Sequence, residues 1–141
     1  MKRMMRMLPV VVCVAAMTAG CNKANNGTTP AAAAVRVTEI DLGRSLAADK
    51  GIADKTSEFR PSDTIYASVE TDGTSSQATL LTRWTYQDGQ VVKELSETIA
   101  PAGKARTEFH IVKPDGWPAG KYAVAVSLNG RAAGSKDFVV K

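Results

Sequence analysis

The sequence predicts an all-β chain: a seven-stranded antiparallel β-sandwich behind a short N-terminal export region. Three observations carry that prediction. In the apolar runs beyond residue 34, large side chains recur with a period of two. Asp-Gly, Asn-Gly and proline-bearing corners punctuate those runs. The residue types are also segregated, since all five Met lie at or before Met17 while all eight aromatics lie between Phe59 and Phe138. One part of the chain is therefore suited to targeting and the other to a folded core.

The first 20 residues read as a signal peptide. Lys2, Arg3 and Arg6 form a basic start, Met7 to Met17 is an apolar run, and Thr18-Ala19-Gly20 is a small-residue exit. A membrane-spanning helix needs about 20 apolar residues, so this run is too short to be one. Ala19-Gly20-Cys21 resembles the lipobox of bacterial lipoproteins, although Thr18 stands where that family most often has Leu. The resemblance implies that the Cys21 sulfur receives a diacylglycerol, that cleavage leaves Cys21 first, and that its amino group takes a further, palmitate-type chain. Three acyl chains exceed the two-signal threshold for stable anchoring. Asn22 follows, where an Asp would by the same resemblance hold the protein at the inner membrane. The expected location is thus the cell envelope, at the outer membrane facing the periplasm.

Residues 21–34 read as the lipidated Cys and a flexible tether. From Asn22 to Ala34 there is no large apolar side chain, so the segment has nothing to bury. Thirteen such residues span about 20 Å as a coil and at most about 45 Å stretched.

The body runs over residues 35–141, with strands expected near 35–42, 64–72, 77–88, 90–99, 104–113, 121–129 and 131–140, and a short extra one at Ile52. Strand parity puts Ile65, Ala67 and Val69 inward, with Leu80, Thr82, Trp84 and Tyr86, then Phe109 and Ile111, then Tyr122, Val124 and Val126. Gln87-Asp88-Gly89-Gln90 and Leu128-Asn129-Gly130-Arg131 are expected to be type I′ hairpin turns. Residues 59–63 and 113–116 are longer corners. Segment 43–63 is the one loop region long enough to reach outward.

The run Gly116-Trp117-Pro118-Ala119-Gly120-Lys121-Tyr122 resembles the entry to the sixth strand of immunoglobulin-like and fibronectin type III domains. The resemblance implies that Tyr122 bonds back to the corner backbone and that Trp84 is the buried core tryptophan. With Phe59-Arg60-Pro61-Ser62-Asp63 ahead of another strand, the body resembles small exported bacterial immunoglobulin-like domains, which speaks to fold and hardly at all to function.

Charge and chemistry narrow the function classes. The formal charge is +4, and the leader holds three of the cations and no acid, which leaves +1 for the rest. Nucleic-acid binding needs a clustered basic footprint, so no such partner is expected. One His and one Cys after the leader exclude a Cys/His metal site and an internal disulfide. His110 should face solvent, and no Gly-x-Ser-x-Gly turn exists to pair with it. The loop acids form no Asp-x-Asp-x-Asp-Gly calcium loop. The expectation is a non-enzymatic, lipid-anchored binding or accessory module without cofactor or small-molecule substrate, whose partner is another envelope protein. The candidate partner face is Arg83, Thr85 and Gln87, beside the small residues of the sixth strand, with Trp117 either a further contact or a cap on the end of the core. A small inhibitor or immunity-type protein acting through segment 43–63 is the alternative.

Lipidation is open to a direct check. Cys21→Ser should move the protein out of the membrane fraction on cell fractionation. A Cys21→Ser chain that still sediments with membranes would overturn the anchor.

Overall fold

The computed structural model describes residues 34–141. The expected signal peptide, Cys21 and the expected tether up to residue 33 lie outside the described residues. Eight strands follow in order: β1 (Arg36–Gly43), β2 (Glu58–Phe59), β3 (Ile65–Asp72), β4 (Ala78–Tyr86), β5 (Gln90–Ile99), β6 (Ala105–Ile111), β7 (Gly120–Leu128) and β8 (Arg131–Val140). They form two sheets, β1-β3-β6 and β2-β8-β7-β4-β5. No helix occurs among the described residues. The alternating apolar side chains of both sheets meet in one core, which makes the body the expected all-β sandwich.

Inward parity holds along the central strands. Ile65, Ala67, Val69, Leu80, Trp84, Phe109, Ile111, Tyr122, Val124 and Val126 are all buried. Thr82 is buried on the same face, where its hydroxyl accepts the Trp84 Nε1–H at 3.2 Å. That bond lets an indole N–H enter the core without an orphaned donor. His110 stays at the surface, 3.1 Å from Glu108 through Nδ1, with its ring against Tyr66.

Six of the eight aromatics join one network. Phe138 touches Phe59, Trp84 and Tyr122, and Tyr122 touches Tyr86 and Trp117, with ring centroids 4.7–6.2 Å apart. Tyr122 donates its hydroxyl to the Pro118 carbonyl at 2.7 Å, the expected corner bond. Tyr86 donates to Ala119 O at 3.0 Å, so two phenols hold one corner. Gly120 is required there: a Cβ would sit 2.9 Å from the Tyr86 ring, and its φ of 148° disfavours side chains. Across the fold, Gly134 of β8 leaves room for Ile40 of β1, whose Cδ1 lies 2.8 Å from where a Cβ would stand. The two sheets approach closely at that point.

Three expectations need correction. The sandwich has an eighth strand, β2, and it pairs parallel with the end of β8, Glu58 with Val139 and Phe59 with Val140, so the body is not wholly antiparallel. A two-residue strand is too short to show a period, and residues 59–63 had read as a corner. Ile52 makes only a single bridge, to Leu46, and founds no strand. The turn after β4 spans three residues, with positive φ at Gln87 (48°) and Gly89 (98°). With Tyr86 paired to Gln90, the loop takes in Gln87 and begins one residue earlier than a two-residue type I′ turn would, while Gln87 N–H still bonds Lys121 O of β7 at 2.8 Å. The Asn129-Gly130 turn is as expected, with both φ values positive.

The core assigns unequal costs to substitution. Trp84→Ala should destabilise by about 3–5 kcal/mol, through lost burial and a cavity. Tyr122→Phe should cost about 1 kcal/mol or somewhat more, because the Pro118 carbonyl loses its donor. His110→Ala should stay within about 0.5 kcal/mol. Urea denaturation checks all three, and a strongly destabilising His110→Ala would contradict the β6 parity.

Candidate functional site

The outer face of the β2-β8-β7-β4-β5 sheet holds most of the candidate residues. β4 and β7 are neighbours, with Arg83 opposite Ala125 and Thr85 opposite Ala123. Arg83 is exposed and donates from Nε to Glu94 of β5 at 2.7 Å. Thr85 reaches the Ala123 carbonyl at 3.4 Å. Gln87 donates from Nε2 to the Tyr86 hydroxyl at 3.0 Å, which fixes its amide over the edge of β7. Because Ala123 is small, the surface sinks into a shallow basin ringed by Ser57, Glu58, Gln87, Lys121 and Asp137. The basin mixes both charge signs with amide and hydroxyl groups. Such a surface suits a polar protein contact.

Trp117 does not join this face. It is only 4% exposed, packs edge-on against Tyr122 and donates its Nε1–H to Asp63 O at 3.0 Å. Its backbone N–H bonds Pro61 O at 2.8 Å. It caps the core where the 59–63 and 113–116 corners meet, and it is not available as a contact residue. The signal that could have told the two roles apart is the Asp63–Trp117 contact, which spans 54 residues and leaves no mark in local sequence.

Segment 43–63 is ordered and folded back on the body. Arg44 N–H bonds Asp54 O, Ala53 N–H bonds Ser45 O and Thr56 N–H bonds Leu42 O, which builds a small hairpin. Ile52 is buried, and Asp49 at the hairpin tip is bonded by Arg106 of β6. Arg44 also donates to Glu58 O at 2.7 Å and to the Asp63 carboxylate at 3.0 Å. The segment does not stand off as a plugging loop.

Three carboxyls are held below their usual range, the first being Glu58, which accepts the Lys141 Nζ–H at 2.7 Å. Asp63 accepts the Arg60 N–H at 2.8 Å and lies against Arg44, which together favour its charged form over the opposing effect of burial. Glu70 accepts the Thr38 hydroxyl at 3.0 Å and faces Lys104 and Arg106. Among the described residues no group of three or more His, Cys, Asp or Glu is placed to hold a metal.

No family model matches the chain, and no curated protein matches its sequence. Solved structures do resemble it. An immunoglobulin-like protein from Pseudomonas aeruginosa aligns with a TM-score of 0.52 at 19% identity, over 79% of this chain and 99% of that one. An alkylpurine DNA glycosylase from Pseudomonas fluorescens, solved with DNA containing an abasic site analogue, aligns with a TM-score of 0.50 at 17% identity over 76% of this chain. The chain spans about 30% of the glycosylase's length. At such identities the likeness concerns the fold alone, and the fold is immunoglobulin-like.

Asp63 generates a pH prediction. A carboxyl with a depressed folded-state pKa contributes stability above the ordinary carboxylate value and loses it as pH falls through the folded value. Asp63→Asn should cost roughly 1–2 kcal/mol at pH 7. Its deficit against wild type should shrink as pH drops below about 4. Denaturant titrations along a pH series check this, and a deficit that does not change with pH would contradict it.

Proposed function

We propose that this chain is a non-enzymatic, lipid-anchored protein of the cell envelope, whose body serves as a periplasm-facing binding or accessory module. Cys21 supplies the anchor, and the outer face of the five-stranded sheet receives another envelope protein. The observation that supports this reading is the basin around Ala123. It lies beside Thr85 and Gln87, its lining reaches Tyr122 and Phe138, and its rim carries Lys121 and Asp137, which form no ion pair among the described residues. Interfaces draw affinity from a few well-placed contacts, and this face offers several charged and amide groups around Ala123. Anchoring concentrates the module at the membrane, so that modest affinity suffices.

The test is recovery of a partner from detergent-solubilised membranes. Ala123→Arg fills the basin, and Gln87→Ala and Arg83→Ala trim its surroundings. Each is a surface change expected to alter stability by no more than about 1 kcal/mol. Ala123→Arg should lower partner recovery about tenfold or more, the scale of a blocked hot spot. Undiminished recovery by all three variants would place the contact elsewhere. A recovered hydrolase that is lost on substitutions in segment 43–63 would favour the inhibitor reading.

A further inference from the structure

The edge strand β5 carries a pattern that the outer face does not use. Pairing with β4 sets its two faces: Lys93 lies opposite Trp84, Leu95 opposite Thr82 and Glu97 opposite Leu80. These three β5 residues therefore point to the core side of the sheet. Glu94 and Ser96, opposite Arg83 and Leu81, point outward. The five-stranded sheet overhangs the three-stranded one here, and on the core side Lys93 and Glu97 are exposed while Leu95 is half-buried. Lys93 and Glu97 make no ion pair among the described residues. β5 pairs with β4 on one side only, and its other edge has no strand partner among the described residues.

Inward-pointing charges on an edge strand commonly guard against pairing with other chains. A guard of one sign repels every copy of itself. Here the two signs are opposite and stand two residues either side of Leu95.

That symmetry matters for a second copy. A closed two-fold pairing of one β5 edge with another must be antiparallel about an axis perpendicular to the sheet, which keeps like faces together. Only registers that pair inward residues with inward residues remain. A dyad at Lys93 opposes two ammonium groups, one at Glu94 opposes two carboxylates, and one at Glu97 opposes two more. A dyad at Ser96 sets Glu97 against Leu95. A dyad at Leu95 places Leu95 on Leu95, Lys93 on Glu97 twice, and Glu94 beside Ser96.

We propose that two copies of this chain associate through their β5 edges in that register, joining their five-stranded sheets into one continuous sheet. The interface is main-chain hydrogen bonding along β5, a Leu95–Leu95 contact at the dyad, and two Lys93–Glu97 cross-strand pairs. The Arg83–Glu94 pair stays intact, because Ser96 of the other copy is its new neighbour. Residues 1–33 hold no acidic residue, so the chain's own N-terminal region cannot answer Lys93 in this way. The resulting dimer is weak and salt-sensitive, since exposed cross-strand ion pairs contribute little each. A shared membrane surface raises the local concentration that such a dimer needs.

The full chain in its membrane tests this by two routes. Leu95→Cys should give a disulfide-linked dimer on mild oxidation, because directly opposed residues of an antiparallel pair have Cα atoms about 4.5–5.5 Å apart, within disulfide reach. The parent chain without this substitution reports any background from Cys13 and Cys21. Adding K93E or E97K singly should cut the cross-linked fraction about tenfold. The K93E/E97K double reversal should restore it, and co-expressing the two single variants should give the mixed dimer. In the unaltered chain, a zero-length carbodiimide should join Lys93 to Glu97 with a doubling of mass. Within one chain those residues stand about 13 Å apart along the strand, too far for such a link. This second route does not depend on how the cysteine variant folds. Cross-linking indifferent to both single reversals, or absence of any Lys93–Glu97 link in the unaltered chain, would overturn the proposal. So would a double reversal that fails to recover.

Discussion

The Tyr122 ring is the point on which the rest of the body depends. It stacks on Phe138 at 5.3 Å, meets Trp117 edge-on and Tyr86 at a tilt, and sends its hydroxyl out of the core to Pro118 O at 2.7 Å. One side chain thus couples β7 to β8, β4 and the corner that precedes β7. Burial pushes its phenol pKa up, so the ring stays neutral and remains a donor. The corner in turn carries Trp117, which ties it to Pro61 and Asp63, so both proline-bearing corners are held at one pole. Aromatic contacts of this kind add about 0.5–1.5 kcal/mol each beyond simple burial.

Because the network takes up six of the eight aromatics, the outer face of the same sheet is left with small and polar groups. Ala123 and Ala125 alternate with Tyr122 and Val124 on β7, so burial of one set dictates exposure of the other. The candidate partner face is in that sense the reverse side of the core. Its flatness follows from the alanines, and its polarity follows from Arg83, Gln87, Lys121 and Asp137. The overhanging β5 follows from the unequal sheets, five strands against three, which leaves Lys93 and Glu97 in solvent on what would otherwise be a core-facing side.

Much of this was legible in the sequence, for local reasons. A period of two is a property of neighbours, so the inward sets on β3, β4, β6 and β7 could be read directly. Tyr122 could be assigned its corner bond because donor and acceptor lie four residues apart. That Arg83 lies beside the small residues of β7 followed from the strand order that a sandwich of this kind imposes, while the register that sets it opposite Ala125 did not. The failures share the opposite cause. β2 exists because Phe59 finds Val140, 81 positions away, and no local pattern announces it. Trp117 read either as a surface contact or as a core cap, and its contacts with Asp63 and Tyr122 decide for the cap. Segment 43–63 looked like a free loop because the bonds that fold it back, from Arg44 to Asp63 and from Arg106 to Asp49, join residues far apart in sequence. The turn after β4 takes in Gln87, whose N–H bonds Lys121 O, 34 positions away, beyond the reach of the local Asp-Gly signal.

The aromatic network around Tyr122 is the cooperative unit on which the outer face and the β5 edge are carried. Native-state hydrogen exchange measures this residue by residue. The account predicts that amides of Val124 and Val126, and of Thr82 and Trp84, exchange only through global unfolding, with a free energy equal to that from denaturant. Amides along β5 and the 44–54 hairpin should open locally at lower cost. Faster exchange at Val124 and Val126 than along β1 would contradict it, because the cooperative core would then lie in the three-stranded sheet.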